Sequence, residues 1–134
     1  MTRIWVINPN TTRAMTSTVE VCARAVAAVG TEVVGITSEF GPPSIECHYD
    51  EAMSVPGLLA AIRRGEAEGV DGYVIACFGD PGLDAAREVA VGPVIGIAEA
   101  AMHAASHLGR GFSVVTTLSR TIGRAEDLAE RPAL

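Results

Sequence analysis

The sequence predicts an α/β domain built on a doubly wound parallel sheet, and three observations carry that prediction. Short runs of β-branched and other apolar residues alternate along the chain with stretches of helical spacing. The first run stops at Asn8-Pro9-Asn10 and the third at a Gly/Pro/Asp loop, which suits strands that hand over to helices. The run Gly72-Tyr73-Val74-Ile75-Ala76-Cys77-Phe78-Gly79-Asp80-Pro81-Gly82 ends its apolar part in a thiol before a helix-like segment from Leu83 to Ala90. In an open parallel sheet, ligands occupy the crevice outside the carboxyl ends of the strands, so Cys77 stands where chemistry is done. The helix that follows aims unpaired N–H groups at the loop and should favour the thiolate.

The elements follow in order. Ile4 to Ile7 is the first strand, stopped by Asn8-Pro9-Asn10-Thr11-Thr12, where Pro9 disfavours helix at Asn8. Met15, Val19, Cys22, Val26 and Val29 form one apolar stripe of an amphipathic helix closed by Gly30, and Cys22 on that stripe reads as a core thiol. Glu32 to Thr37 is the second strand. The loop Ser38 to Asp50 is rich in Gly, Pro and polar residues, and loops of that length are usually functional or mobile. Leu58, Leu59 and Ile62 mark a second helix with Pro56 in its first turn and Gly69 at its close. After the strand that carries Cys77 and a short helix come a fourth strand, Val94 to Ile97, and an alanine-rich helix, Ala98 to Leu108. Phe112 to Thr116 reads as a fifth strand and Thr121 to Glu130 as a last helix. Strand and helix alternating throughout implies right-handed crossovers with helices on both faces.

Composition narrows the functional classes. The 134 residues suffice for one core, and 49% hydrophobic with 19% charged is not a disordered composition. A formal charge of −6, with all ten basic residues Arg and none in a run, argues against a nucleic-acid or anionic-membrane partner. No stretch is long and apolar enough for a spanning helix, and the amino terminus lacks a signal-peptide pattern. Three cysteines without an export signal imply thiols in a reducing, cytoplasmic setting.

If the sheet is parallel, the loops after the first, second, third and fifth strands open on one edge. That edge gathers Asn8, Asn10, Thr11, Glu46, Cys47, Cys77, Gly79, Asp80, Thr116 and Thr117. The set offers a thiol with amide, hydroxyl and backbone donors, and neither a dinucleotide fingerprint nor a phosphate loop is present. His103 and His107 share a helix face at metal-ligand spacing, but no third ligand is assignable and a structural or surface role fits them better. Cys47-His48 is adjacent in sequence, which does not by itself make a pair.

Four ordered segments resemble the Asp/Glu/hydantoin racemase superfamily, and within it the hydantoin and allantoin racemases. They are Arg3 to Thr11 (RIWVINPNT), Gly41 to Glu46 (GPPSIE), Ala76 to Gly82 (ACFGDPG) and Phe112 to Thr117 (FSVVTT). The resemblance implies a flavodoxin-like first domain of a two-domain fold. It also implies cofactor-independent inversion of a carbon acid beside a carbonyl, without pyridoxal phosphate or a metal, by two cysteines on opposite substrate faces. Cys77 matches the first cysteine. Asn8, Gly79, Asp80, Thr116 and Thr117 match substrate-pocket positions, and Asn10 and Glu46 lie in the matching motifs. Where glutamate and aspartate racemases resemble one another in having Cys-Asn-Thr, this chain has Cys77-Phe78-Gly79, which suits a neutral ring such as a 5-substituted hydantoin or allantoin.

In the family the second cysteine lies downstream in a second α/β domain. The expectation is therefore that residues 1–97 form the first domain and residues 98–134 a connecting helix with the first strand and helix of a mostly absent second one. The second acid/base would then be missing, and apolar faces would be left for self-association. Family resemblance also implies a homo-oligomer. Other readings of the same residues are an Asp/Glu racemase, a maleate isomerase with a nucleophilic thiol, or a non-catalytic binding or assembly module. An arylmalonate decarboxylase keeps only the downstream cysteine, so Cys77 counts against it.

Overall fold

A computed structural model of the chain describes residues 1–131. The strands β1 (Thr2–Asn8), β2 (Thr31–Thr37), β3 (Gly72–Ile75) and β4 (Val94–Gly96) form one sheet in the order β2-β1-β3-β4. All three pairings are parallel, with Thr2 opposite Thr31, Ile4 opposite Gly72 and Tyr73 opposite Val94. The order reverses between β1 and β3. That reversal is the topological switch point, and it puts the ends of β1 and β3 side by side.

Side chains alternate across the sheet and so divide its two faces. Trp5, Ile7, Tyr73 and Ile75 face the helices α2 (His48–Ala67) and α3 (Leu83–Val89), closing the core with Leu58, Ala61, Ile62, Leu83 and Ala86. On the other face lies α1 (Arg13–Val26), where the Asn8 amide donates to the Thr16 hydroxyl at 3.1 Å. A side chain at Gly35 of β2 would collide with Glu20 of the same helix. The helix α4 (Ile97–Leu108) packs against β4, and after a 3-10 turn at Ser119–Thr121 the short α5 (Ile122–Ala129) follows.

Several expectations are corrected. Phe112 to Thr116 forms no strand, because no neighbouring backbone lies alongside it among the described residues; Val115 is 95% exposed. β-propensity describes fit to a partnered surface, and this segment has no partner strand among the described residues. The first helix ends at Val26 rather than at Gly30, because Ala27 turns extended. Its buried face is also different: Thr16 is buried, while Met15, Cys22, Val26 and Val29 are exposed. Cys22 is therefore a surface thiol. Two polar residues explain the inversion, Thr16 satisfied by Asn8 and by the Thr37 hydroxyl at 2.7 Å, and Glu20 packed over Gly35. The second helix begins at His48, ten residues ahead of Leu58, so Pro56 lies inside it rather than in its first turn. Asp50 and Glu51, which favour the positive end of a helix, open that helix.

Candidate active site

Cys77 sits two residues beyond β3, at the switch point, where the strand has given way to a tight turn. That turn needs glycine-like backbone: Gly79 has φ +149° and Gly82 has φ +66°. Asp80, at φ +48°, is the sole non-glycine described residue at positive φ, and its side chain offsets the strain. The Asp80 carboxylate is buried and accepts the backbone N–H groups of Ala98 at 2.9 Å and Glu99 at 2.8 Å. It thereby caps the first turn of α4 and ties the thiol's loop to that helix. Burial pushes its pKa up, and the two amides that hold the charged form only partly offset this.

A cleft of about 250 Å³ opens beside the thiol. One wall is Cys77, Phe78 and Gly79, and a second is Ile45 to His48 with Glu51 at the start of α2. The third wall comes from the irregular segment Val114 to Thr117 and from Arg120, Arg124 and Leu128 of the last turn and helix. Arginines join the walls. Arg120 donates through Nε to the Glu46 carbonyl at 2.8 Å and lies 3.4 Å from its carboxylate. Arg124 donates to the Gly79 carbonyl through Nε at 3.1 Å and pairs with the Glu51 carboxylate.

Glu46, Cys77, Gly79, Thr116 and Thr117 thus share the cleft. Asn8, Asn10 and Asp80 do not line it. Asn8 and Asn10 are buried and bond each other, the Asn8 amide donating to the Asn10 carbonyl oxygen at 2.8 Å. Asn10 accepts the Thr12 N–H at 2.9 Å, so the pair braces the loop that leads into α1. The Thr116 and Thr121 hydroxyls share a 2.7 Å hydrogen bond. Sequence reasoning missed Glu51, Arg120 and Arg124; a signal existed in their i, i+4 spacing at 120 and 124, opposite acids at 46 and 51. Cys47 is the second thiol of the cleft, at the N-cap of α2. The Glu46 N–H, and after it the Cys47 thiol, hold the Asp50 carboxyl below its ordinary value. Among the described residues no group of three or more His, Cys, Asp or Glu is gathered as metal ligands.

The helix that follows does not lower the Cys77 thiol as its position suggests. Burial, with the Asp80 charge adding to it, raises the thiol to about 11. α3 is short, and its N-cap Gly82 is separated from the thiol by four residues, so its dipole does not offset burial. The thiolate fraction near neutral pH is then about one in ten thousand. Alkylation of Cys77 by iodoacetamide should accordingly rise about tenfold per pH unit from pH 7 towards 10. At pH 8 the exposed Cys22 and Cys47 should react first. Peptide mapping by mass spectrometry reads both, and Cys77 labelling fastest at pH 7 would contradict the assignment.

A flavodoxin-like α/β unit with a thiol at its switch point is the class that fold and site define. The chain belongs to the Asp/Glu/Hydantoin racemase family, whose profile matches residues 4–133. It is 52% identical over 128 residues to a hydantoin racemase of Pseudomonas sp. (strain NS671), covering 96% of this chain and 51% of that protein. It is 56% identical over 125 residues to a hydantoin racemase of Rhizobium meliloti, covering 93% of this chain and 52% of that protein. Among solved structures, an allantoin racemase from Klebsiella pneumoniae superposes with a TM-score of 0.94 at 59% identity, over 96% of this chain and 52% of that one. The chain thus spans about half the length of the relatives it matches. No helix among the described residues is long and apolar enough to cross a membrane.

Proposed function

We propose that the cleft binds a neutral five-membered ureide ring, a 5-substituted hydantoin or allantoin, and that Cys77 exchanges a proton with the ring carbon beside the carbonyl, as part of a racemase. The observation that carries the reading is a thiol at the switch point of the sheet, lining a three-walled open cleft, in a chain about half identical to hydantoin racemases.

In the reaction the Cys77 thiolate takes the C5 proton, and the C–H electron pair moves onto the neighbouring carbonyl oxygen as an enolate. The hydroxyl of Thr117 and the backbone N–H groups of the Phe78-Gly79 turn are the donors available to that oxygen, while the Thr116 hydroxyl is engaged with Thr121. Return of a proton to the opposite face inverts the centre; return from Cys77 restores it. A base with a pKa near 11 is scarce at neutral pH but strong when formed, which suits a weak carbon acid. The ring lies flat against Phe78, which is 48% exposed at the cleft mouth.

Occupancy of the cleft should shield the thiol. At pH 9, saturating 5-benzylhydantoin is expected to slow Cys77 alkylation severalfold and to leave Cys22, on the far helix α1, unchanged. Equal labelling of Cys77 with and without the ring would remove the assignment.

A further inference from the structure

The cleft is lined by two arginines, and each is engaged by an acid and a carbonyl of the cleft's own wall. Arg124 is bound on one side by Glu51 and on the other by the Gly79 carbonyl, and Arg120 is bound by both the carboxylate and the carbonyl of Glu46. The two acids and two arginines that line the cleft cancel in charge. The remaining basic wall residue, His48, has its Nδ1 3.8 Å from the Glu51 carboxylate, so Glu51 answers that ring too when it is protonated. Arg131 and Asp127, of opposite sign, are the other charges acting on Arg124. Glu51 and Arg124 are both largely buried, with side chains about 20% and 24% exposed, where a charge pair is screened less than at the surface.

We propose that Glu51, seconded by Glu46, is a specificity residue that occupies the cleft's arginines and so rejects ligands bearing a free carboxylate while leaving neutral rings unaffected. A carboxylate entering the cleft has to displace Glu51 or Glu46 from its partner and lies within their repulsion. A neutral ring has neither obstacle. Discrimination of this kind works by a repulsive element against the wrong ligand rather than by a new contact to the right one. The inference rests on the ring-binding reading of the cleft given above.

The test compares two probes of similar size on the full chain by titration calorimetry at low salt: 5-benzylhydantoin, and N-carbamoylphenylalanine, its ring-opened carboxylate. The wild-type chain is expected to bind the ring at least about tenfold more tightly than the acid. Glu51→Gln frees the Nη1 side of a partly buried guanidinium, and a charge-assisted hydrogen bond to it should tighten the acid about tenfold, a gain that added salt diminishes. The double substitution Glu51→Gln/Arg124→Gln should abolish that gain. No gain in a Glu51→Gln chain that is folded by circular dichroism, or a gain that survives in the double variant, overturns the proposal. Should Glu51→Gln not fold, Glu46→Gln, at an exposed position, decides through Arg120 with the same sign: a gain supports the proposal and no gain overturns it. Failure of the wild type to bind the ring would strike the substrate reading, whereas ring binding without any gain for the acid would strike this inference alone.

Discussion

Cys77→Ser is expected to lower the rate of C5 proton exchange on a 5-substituted hydantoin by about 10²- to 10⁴-fold, the range for removing a positioned general acid or base. Serine fills nearly the same space in the turn after β3, so the cleft and the loop should survive the change. What is lost is acidity. A buried thiol at about 11 can still furnish a small population of base, whereas a hydroxyl in the same surroundings furnishes almost none. The acidity of Cys77 also sets the pH dependence of the intact chain. Deprotonation of Cys77 is the limiting equilibrium, so exchange catalysed by this group should climb with pH from 7 to 10 and level off near 11, unlike the Cys77→Ser variant. A plateau already reached at pH 7 would mean that substrate binding, or a further positive group, lowers the thiol to the neutral range.

The second large effect falls on Asp80. Asp80→Ala should destabilise the chain by about 2–4 kcal/mol, measured by urea unfolding. The change removes the acceptor of two N–H groups at the start of α4, each costly if left buried and unmet. It also places alanine at φ +48°, where Asp and Asn are better tolerated. Asp80→Asn should cost less than half as much, because an acceptor oxygen and the tolerance for that φ both remain. It should also lower the Cys77 pKa, since the Asp80 charge is one of the two causes that raise it, and so speed alkylation at pH 9. Burial raises the Asp80 pKa in the folded state, so its contribution to stability is fullest at acidic pH, below the ordinary carboxylate value, and declines as pH rises through the raised one. An unchanged urea midpoint for Asp80→Ala would show that the cap carries no weight.

Much of this architecture is legible in the residues, and the exceptions have physical reasons. The four paired strands lie on runs rich in β-branched or aromatic residues, and in each the local preference and the tertiary pairing agree. Phe112 to Thr116 has the same local signature without a partner strand among the described residues, and it stays irregular and unpaired. The face of α1 went unread because hydrophobic spacing finds an apolar stripe and not the side that is buried. Thr16 and Glu20 face inward because hydrogen bonds and a glycine on β2 receive them. At the site, the position of Cys77 was legible from strand-loop-helix punctuation, but its ionisation was not, since desolvation depends on what packs around the sulfur. Asn8, Asn10 and Asp80 look like ligand-facing polar residues in one dimension. In three, their hydrogen bonds are spent on the loops that shape the edge of the sheet.

The most direct test of the account is proton NMR of an enantiopure 5-benzylhydantoin in heavy water with the intact chain, following loss of the C5 hydrogen while polarimetry follows the optical rotation. Loss of that hydrogen faster than in the protein-free control, in proportion to protein and abolished by Cys77→Ser, is the predicted result. Falling rotation at the same rate would show proton delivery to both faces, for which Cys47 is the second thiol of the cleft. Retained rotation would show Cys77 working on one face. Exchange no faster than the control, or undiminished in Cys77→Ser, would contradict the assignment of proton transfer to this thiol.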